Sequence, residues 1–326
     1  MKSRNRYADF SWFVLAYNIG VILWGAYVRA TGSGAGCGAH WPLCNGEVIP
    51  AAPAVETMIE YTHRLMSGLS LVLVLALVVW AWRTKTPRRL QRLGAGLSLF
   101  FILTEALVGA GLVLFELVAH NDSLARAWWM MVHLINTLLL VAALTLNAWW
   151  STFDAPVALR LKGRFAWPVI LGLLGMLFLG ASGAITALGD TLFPAGSLAE
   201  GIQQDFSSAS HFLVRLRIYH PMIAVLAWAY WVGLVTLLKR SGAAAGHPSL
   251  YGFLYAVFTA QLAVGAANVI LMAPVWMQLV HLLVTDLIWI GVVLISNAVL
   301  GVVDLAPGTL DKEVDYRANQ KTKLVT

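Results

Sequence analysis

EYTHRLMSGLSLVLVLALVVWAW, residues Glu60–Trp82, is the stretch that decides the fold of this chain. Its apolar part has the length of about 20 residues that a helix needs to cross the hydrocarbon core of a bilayer. Glu60 and His63 lie three residues apart at its mouth, which places them on one face of that helix. Ionisable groups are costly in a membrane unless they have a function, so this pair is a candidate site.

Seven further apolar runs have a similar length. The chain of 326 residues is 59% hydrophobic and only 12% charged, whereas roughly a quarter charged is usual for a soluble domain. The runs therefore predict an all-α integral membrane protein with eight transmembrane helices in the lipid bilayer. They cover about Phe10–Ala30, His63–Trp82, Leu93–Phe115, Trp128–Trp150, Trp167–Leu188, Phe212–Leu238, Leu250–Met272 and Val275–Leu300.

The distribution of Lys and Arg predicts the orientation of the spans. With a cytoplasmic N-terminus, the cytoplasmic tails and loops hold 17 of the 22 basic residues. Cytoplasmic loops carry the excess of positive charge, so both termini are expected in the cytoplasm. The net charge of +6 follows from this bias and requires no nucleic acid partner. The 17 residues are Lys2, Arg4, Arg6, Arg83, Lys85, Arg88, Arg89, Arg92, Arg160, Lys162, Arg164, Lys239, Arg240, Lys312, Arg317, Lys321 and Lys323.

Residues at matching distances predict an internal duplication. His220 follows His63 by 157 residues, and His281 follows His133 by 148. Because each copy has an even number of spans, two tandem four-helix bundles in a parallel pseudo-twofold repeat are expected. The predicted parts are an N-terminal half 1–150, a cytoplasmic linker 151–166, a C-terminal half 167–303 and a cytoplasmic tail 304–326. Further matches pair Glu105 with Gln261, Gly109 with Gly265, Gly25 with Gly180, Thr31 with Thr186 and Gly34 with Gly189.

The four paired histidines are the main clue to function. Spans two, four, six and eight all begin outside, so the four imidazoles are expected at similar shallow depth near the outer face. Two imidazoles on facing helices suit axial ligation of a heme iron, which predicts one such site in each half. For a single histidine the alternative is a hydrogen-bonded interfacial residue. Zinc is a weaker alternative, because two histidines per half leave a tetrahedral site short of ligands.

The two halves differ three residues before the first histidine of each pair. The first half has Glu60 there, and the second half has Arg217. A carboxylate beside a heme can move protons, whereas an arginine would form a charge-assisted pair with a heme propionate. One half is therefore expected to be reactive and the other to hold a cofactor. The alternative for Glu60 is a surface residue paired with Arg64.

Several other polar residues within the spans leave alternatives open. Glu105 and Asp286 lie mid-span, where such groups either face a polar path or are satisfied by neighbouring side chains. Pro221 removes one helical hydrogen bond and is expected to kink span six next to His220. Tryptophans at the span ends, among them Trp150, are expected to anchor the membrane interface.

Cys37 and Cys44 are the only cysteines, and both lie in the Gly-rich first outside loop. An oxidising outer face favours a disulfide between them. Such a bond either pins a flexible loop or takes part in redox chemistry, and the sequence leaves both alternatives open.

These residues resemble one known family over essentially the whole chain. The outer loop with its Cys37–Cys44 pair, the motif Glu60-Tyr61-Thr62-His63-Arg64 and the segments around His133, Tyr219-His220-Pro221 and His281 resemble heme A synthase. Heme A synthase is a membrane enzyme of cytochrome oxidase biogenesis. The resemblance implies oxidation of the C8 methyl of heme O to a formyl group, by successive hydroxylations and loss of water.

The resemblance also implies where each heme is held. His220 and His281 would ligate a resident heme b in the C-terminal half, with Arg217 as a further contact to that cofactor. Glu60, His63 and His133 would form the heme O site. The implied location is the bacterial cell membrane, with heme O synthase and cytochrome oxidase assembly factors as partners.

Two other functions compete with this one. A non-catalytic di-heme electron carrier of the cytochrome b type would also use two histidine pairs, but it has no evident need for Glu60 in one half alone. A transporter built from repeats would use Glu105 and Asp286 as its substrate path.

Overall fold

The computed structural model describes residues 5–84, 89–152, 157–159, 163–244 and 246–303. Eight segments within these ranges are long and apolar enough to cross a membrane, which confirms the predicted number of spans and makes the chain a multi-pass membrane protein. The helices are α1 Arg6–Ala30, α2 Val55–Arg83, α3 Arg89–Leu114, α4 Leu124–Thr152, α5 Ala166–Leu192, α6 Leu198–Phe206, α7 Phe212–Leu216, α8 Tyr219–Ser241, α9 Pro248–Ile270 and α10 Val275–Leu300.

The predicted all-α class is confirmed, and the described residues add one short pair of strands. Strands β1 Val157–Leu159 and β2 Gly301–Val303 pair antiparallel, with Val157 opposite Val303. The chain has left its long helices at both places, so the free backbone groups there find partners in each other. The short helix α6 was not predicted, because its nine residues are too few to span a membrane.

Parts of the sequence predictions fall outside the described residues. These are the cytoplasmic tail 304–326, residues 153–156 and 160–162 of the predicted linker, and ten of the basic residues used for orientation. The ten are Lys2, Arg4, Lys85, Arg88, Arg160, Lys162, Lys312, Arg317, Lys321 and Lys323.

Helix α4 occupies the centre of the protein. It packs against α1 and α3 of its own half and against α5 and α10 of the other half. The hydrophobic core is continuous across both predicted halves, since Val141 and Leu144 of α4 belong to the same cluster as Trp231 and Ile288. The relative position of the two histidine pairs is therefore fixed by packing rather than by a linker.

Hydrogen bonds also join the two halves. The Trp289 indole N–H donates to the Leu138 carbonyl (2.6 Å), and the Trp150 indole donates to Asn297 Oδ1 (3.0 Å). Trp150 is only 5% exposed, so its expected role as an interfacial anchor is wrong. Its N–H has a protein partner and needs no contact with the lipid headgroups.

Arg29 joins three helices at one end of the bundle. From the last turn of α1 its guanidinium donates to the Ala187 carbonyl (2.6 Å) and the Thr191 hydroxyl (2.7 Å) of α5, and to Gln278 Oε1 (2.8 Å) of α10. The C-terminal ends of α1 and α5 and the start of α10 therefore meet at one end of the bundle. This end is called the loop end below, because the disulfide loop also lies there.

The predicted disturbance of span six by Pro221 is present. The span is broken between α7 and α8, and the His220 N–H donates to the Arg217 carbonyl (3.2 Å), a tighter spacing than in an α-helix. Proline has no N–H to offer the carbonyl four residues earlier, so the backbone turns at this point. The break places His220 in the first turn of α8.

Candidate histidine sites

Each of the four histidines packs on a glycine of the preceding transmembrane helix. A Cβ added to Gly25 would lie 2.9 Å from His63 Cε1, and one added to Gly183 would lie 3.1 Å from His220 Cε1. The corresponding distances are 3.3 Å from Gly265 to His281 and 3.9 Å from Gly109 to His133. The missing side chains leave room for the imidazole rings between adjacent helices.

These contacts correct one detail of the predicted repeat. The sequence paired Gly25 with Gly180, but the glycine that contacts the second-half histidine is Gly183. Gly180 faces Leu138 of α4 instead. The true counterpart lies about one helical turn further along α5, a shift that the sequence hides because glycine is frequent in this segment.

The first-half pair consists of His63 on α2 and His133 on α4. Their imidazoles are within electrostatic range of each other. The Nδ1 atom of each ring is buried and makes no hydrogen bond among the described residues, although Glu105 Oε1 lies 3.5 Å from Nδ1 of His133. Both rings are partly accessible. The structure therefore places these two histidines near each other, on facing helices.

The second-half pair consists of His220 on α8 and His281 on α10. Their ring centroids are 6.4 Å apart and their planes are inclined by 70°. Ser182 Oγ lies 2.9 Å from His220 Nδ1, which directs the Nε2 atom of that ring away from α5. The Gln261 amide nitrogen lies 3.2 Å from His281 Nε2, and the Nδ1 atom of His281 is buried without a hydrogen bond.

The spacing of the second pair suits a metal ion between the rings. A histidine nitrogen binds a metal at about 2 Å, and each ring centre lies about 1 Å behind its nitrogen, so two ligands place their centroids about 6 Å apart. The observed 6.4 Å is close to that distance. A metal bound there would replace the contact between Gln261 and His281 Nε2.

A tetrahedral metal site has less support. Among the described residues, no group of three or more His, Cys, Asp and Glu side chains is arranged to hold a metal ion. Each half instead offers two imidazole ligands from facing helices. This donor set suits an iron whose remaining ligands come from a macrocycle.

Glu60 is 4% exposed and lies one turn before His63. Its Oε1 pairs with the Arg64 guanidinium, and its Oε2 accepts a hydrogen bond from the Cys37 N–H (2.8 Å). The pairing with Arg64 was the alternative considered from the sequence, but the pair is buried and not on the surface. Because both oxygens are held, the carboxylate is fixed in orientation beside the first-half histidines.

The first outside loop is attached to α2 above this site. Cys37 and Cys44 form the predicted disulfide, with a Cα–Cα distance of 4.4 Å. Arg64 Nη1 donates to the carbonyls of His40 and Leu43, at 2.5 Å each. The Thr57 hydroxyl donates to the Gly36 carbonyl (2.7 Å). The disulfide loop is therefore held to the first turns of α2, close to the first-half pair.

Arg217 has partners that the sequence did not predict. It forms ion pairs with Asp190 (3.2 Å) and Asp205 (2.8 Å) and a longer hydrogen bond to Gln204 (3.3 Å). The guanidinium is 9% exposed and already neutralised by two carboxylates, so a propionate would have to compete with them. Arg217 holds α6 against the second half much as Glu60 holds the disulfide loop against the first.

The two mid-span acids have different environments. Glu105 accepts hydrogen bonds from the side chains of Asn136 and Thr137, so it is satisfied by neighbours. Asp286 is 1% exposed, and its Oδ2 atom has no hydrogen-bond partner among the described residues. Glu105 therefore has partners for both carboxylate oxygens, whereas Asp286 is enclosed by the core.

Comparison with known proteins gives a consistent set of relatives. The model of the COX15-CtaA family, described as cytochrome oxidase assembly protein, matches residues 8–293. A Thermus thermophilus protein named protoheme IX farnesyltransferase is 52% identical over 299 residues, which are 91% of this chain and 49% of that protein. The chain therefore spans about half the length of this relative.

Shorter matches connect the chain to proteins with another name. The heme A synthase of Halalkalibacterium halodurans is 52% identical over 95 residues, 29% of this chain and 32% of that protein. The heme A synthase of Alkalihalophilus pseudofirmus is 48% identical over 95 residues, with the same shares of each chain.

Proposed function

We propose that this chain, which belongs to the COX15-CtaA family of cytochrome oxidase assembly proteins, oxidises heme O to heme A. Its membership of the family agrees with the resemblance to heme A synthase. The observation that carries the proposal is the pair of two-histidine sites, of which only the first has a buried carboxylate one turn before its histidine. A protein that merely held two hemes would not require that difference.

The residues fit a heme in both halves. The 6.4 Å spacing of His220 and His281 leaves room for an iron, and Ser182 holds the Nδ1 side of His220 so that its Nε2 is available. In the first half, the Nδ1 atoms of His63 and His133 are buried and make no hydrogen bond among the described residues. A side chain at Gly25 or Gly183 would push a ring out of place.

We assign the substrate to the first half and the resident cofactor to the second. His63 and His133 would hold heme O, and His220 and His281 would hold heme b. A bound heme iron supplies the redox chemistry of the reaction. The assignment is supported by Glu60, because successive hydroxylation of the C8 methyl and loss of water involve proton transfers at the site, which a nearby carboxylate can carry.

The chain's own residues would orient the substrate and control the protons. Glu60 is held between Arg64 and the Cys37 N–H, so a proton taken up at one of its oxygens would replace one of these two contacts. The disulfide loop, held to α2 by Glu60 and Arg64, would limit the access of water to this end of the pair. Arg217 would act through α6, which it holds over the second half, instead of by direct contact with a propionate.

Location and partners follow from the same proposal. We place the protein in the bacterial cell membrane with both termini in the cytoplasm, so that the loop end and both histidine pairs lie near the outer face. The name of the Thermus relative describes farnesyl transfer to protoheme IX. Heme O is a farnesylated heme, which supports heme O synthase as the supplier of substrate, with cytochrome oxidase assembly factors downstream.

The test compares Glu60→Gln with Glu56→Gln in cells supplied with heme O. At position 60, glutamine keeps an acceptor for the Cys37 N–H but cannot take up a proton. Glu56 serves as the control, because it is exposed and lies one turn earlier on the same helix. Loss of a general base lowers the reaction rate by about 100-fold or more. The rate of heme A formation should therefore fall that far in Glu60→Gln only, with the amount of bound heme unchanged. Equal yields of heme A in the two variants would refute the role of Glu60. Retention of heme without any conversion in the unmodified protein would instead favour a di-heme electron carrier.

A further inference from the structure

Glu105 lies directly behind His133 on the side away from the proposed heme. It projects from the middle of α3 toward α4, and its side chain is 18% exposed. Its Oε1 atom accepts a hydrogen bond from the Thr137 hydroxyl and lies 3.5 Å from His133 Nδ1. Its Oε2 atom accepts from the Asn136 amide. Two helices thus hold the carboxylate against the imidazole.

The second half builds the same arrangement with a different residue. Gln261 on α9 takes the place of Glu105, and its amide donates to the Thr285 hydroxyl (2.7 Å) and the His281 carbonyl (3.1 Å). Thr285 follows His281 by four residues, as Thr137 follows His133, and both hydroxyls lie 2.9 Å from their histidine's carbonyl. Three things differ. Gln261 replaces the acid, Val284 stands where Asn136 stands in the first half, and the Gln261 amide lies 3.2 Å from Nε2 of His281, whereas Glu105 lies beside Nδ1 of His133.

Packing alone does not explain the carboxylate. Glutamine has almost the same shape and satisfies the equivalent position in the second half. A carboxylate in the middle of a membrane span is more costly than an amide, and it is kept where it has a charged or donating partner. The donor without a hydrogen bond at this place is Nδ1 of His133, which carries the proton when Nε2 serves as the ligand.

We propose that Glu105 is a positioning residue for His133, accepting the Nδ1 proton in a hydrogen bond and thereby strengthening Nε2 as an iron ligand. The inference rests on the proposed heme site of the first half and adds to it an electronic difference between the halves. A carboxylate partner fixes the tautomer and raises the donor strength of a metal-bound histidine. A stronger donor stabilises ferric over ferrous iron, so the first-half heme has the lower reduction potential of the two.

The same geometry makes the effect specific to one ligand. Glu105 contacts His133 and not His63, which belongs to α2. The 3.5 Å separation is longer than a hydrogen bond, and a small rotation of the imidazole about its Cα–Cβ bond closes it. Asn136 and Thr137 hold both carboxylate oxygens, so the histidine ring and not the acid is the group that adjusts.

The test is a redox titration of the purified protein with heme in both halves, without turnover. Three variants are compared. Glu105→Gln introduces the residue of the second half, and Glu105→Asp keeps the charge but shortens the side chain. Gln261→Glu introduces the residue of the first half. Both Glu105 variants should shift the ferric to ferrous ratio of the first-half heme toward ferrous iron by about tenfold, which is about 59 mV for a one-electron couple. The low-spin EPR signal of that heme should move as well, whereas the second-half heme stays unchanged.

The outcomes separate this inference from the proposed function. An unchanged potential and EPR signal in Glu105→Gln would overturn it. A shift in Glu105→Gln but not in Glu105→Asp would also overturn it, because the effect would then come from charge alone. Iron at His281 Nε2 would displace residue 261 from that atom, so a Gln261→Glu carboxylate should turn to the unpaired Nδ1 and lower the potential of the second-half heme. If the unmodified protein bound no heme through His63 and His133, the proposed function itself would fail.

Discussion

Replacing Gly25 by alanine tests whether the space behind His63 is part of a heme site. The added Cβ would lie 2.9 Å from His63 Cε1 and 3.1 Å from Nε2, whereas the same change at Gly109 would leave 3.9 Å to His133. Carbon atoms in contact prefer about 3.5–4.0 Å, so only the Gly25→Ala change displaces its ring. Overpacking of this kind costs about 1–3 kcal/mol. If this strain falls on the iron–His63 bond, heme affinity in the first half should drop by about tenfold to a hundredfold.

The assay is the heme content of the purified variants, with EPR to distinguish the two sites. Both substitutions gain about 1 kcal/mol of helix propensity, so Gly109→Ala is a matched control for effects on the helix itself. Gly25→Ala should lose the first-half heme at limiting heme concentration, and Gly109→Ala should keep both. Equal heme content in the two variants would refute the argument that glycine spaces the ring. In the second half, where the distances are 3.1 Å at Gly183 and 3.3 Å at Gly265, Gly183→Ala should have the larger effect.

Two further predictions concern the loop end. Cys37 and Cys44 should react with a maleimide only after reduction, because their sulfur atoms are joined in the disulfide. Labelling of the untreated protein would contradict the structure. Arg29→Ala should lower the thermal midpoint of the purified protein, since three hydrogen bonds from a buried cation are lost, each of which contributes about 1.5–3 kcal/mol. The control is Arg215→Ala, because Arg215 is exposed. Equal midpoints in the two variants would show that Arg29 does not hold α1 to α5 and α10.

The features predicted from sequence are those that depend on local composition. Apolar runs of spanning length give the eight helices, and four histidines near the starts of even-numbered spans give the two pairs. The disulfide was predictable because the chain has only two cysteines and both lie in one outside loop. Each of these inferences needs only the sequence position of a residue and the side of the membrane on which it lies.

The features that sequence could not give depend on how helices pack. The counterpart of Gly25 is Gly183 because helix rotation, and not residue spacing, decides which glycine meets the ring. Arg217 binds Asp190 and Asp205, which lie on two other elements and show no pattern that points to it. Trp150 looks like an interfacial anchor in sequence, but the other half of the protein covers it.

Both differences between the halves place an acid near the first histidine pair and a residue that is not acidic at the matching place in the second half. In the first half two carboxylates stand near the histidine pair, Glu60 one turn before His63 and Glu105 behind His133. In the second half Arg217 and Gln261 take the places of these two acids, and the nearby carboxylates of Asp190 and Asp205 are paired with Arg217. A carboxylate near a heme accepts protons and stabilises oxidised iron, whereas an amide and a neutralised arginine do neither. The two substitutions are independent in sequence, yet both favour oxidation in the first half and stable binding in the second. This supports the assignment of substrate and cofactor more strongly than either residue alone.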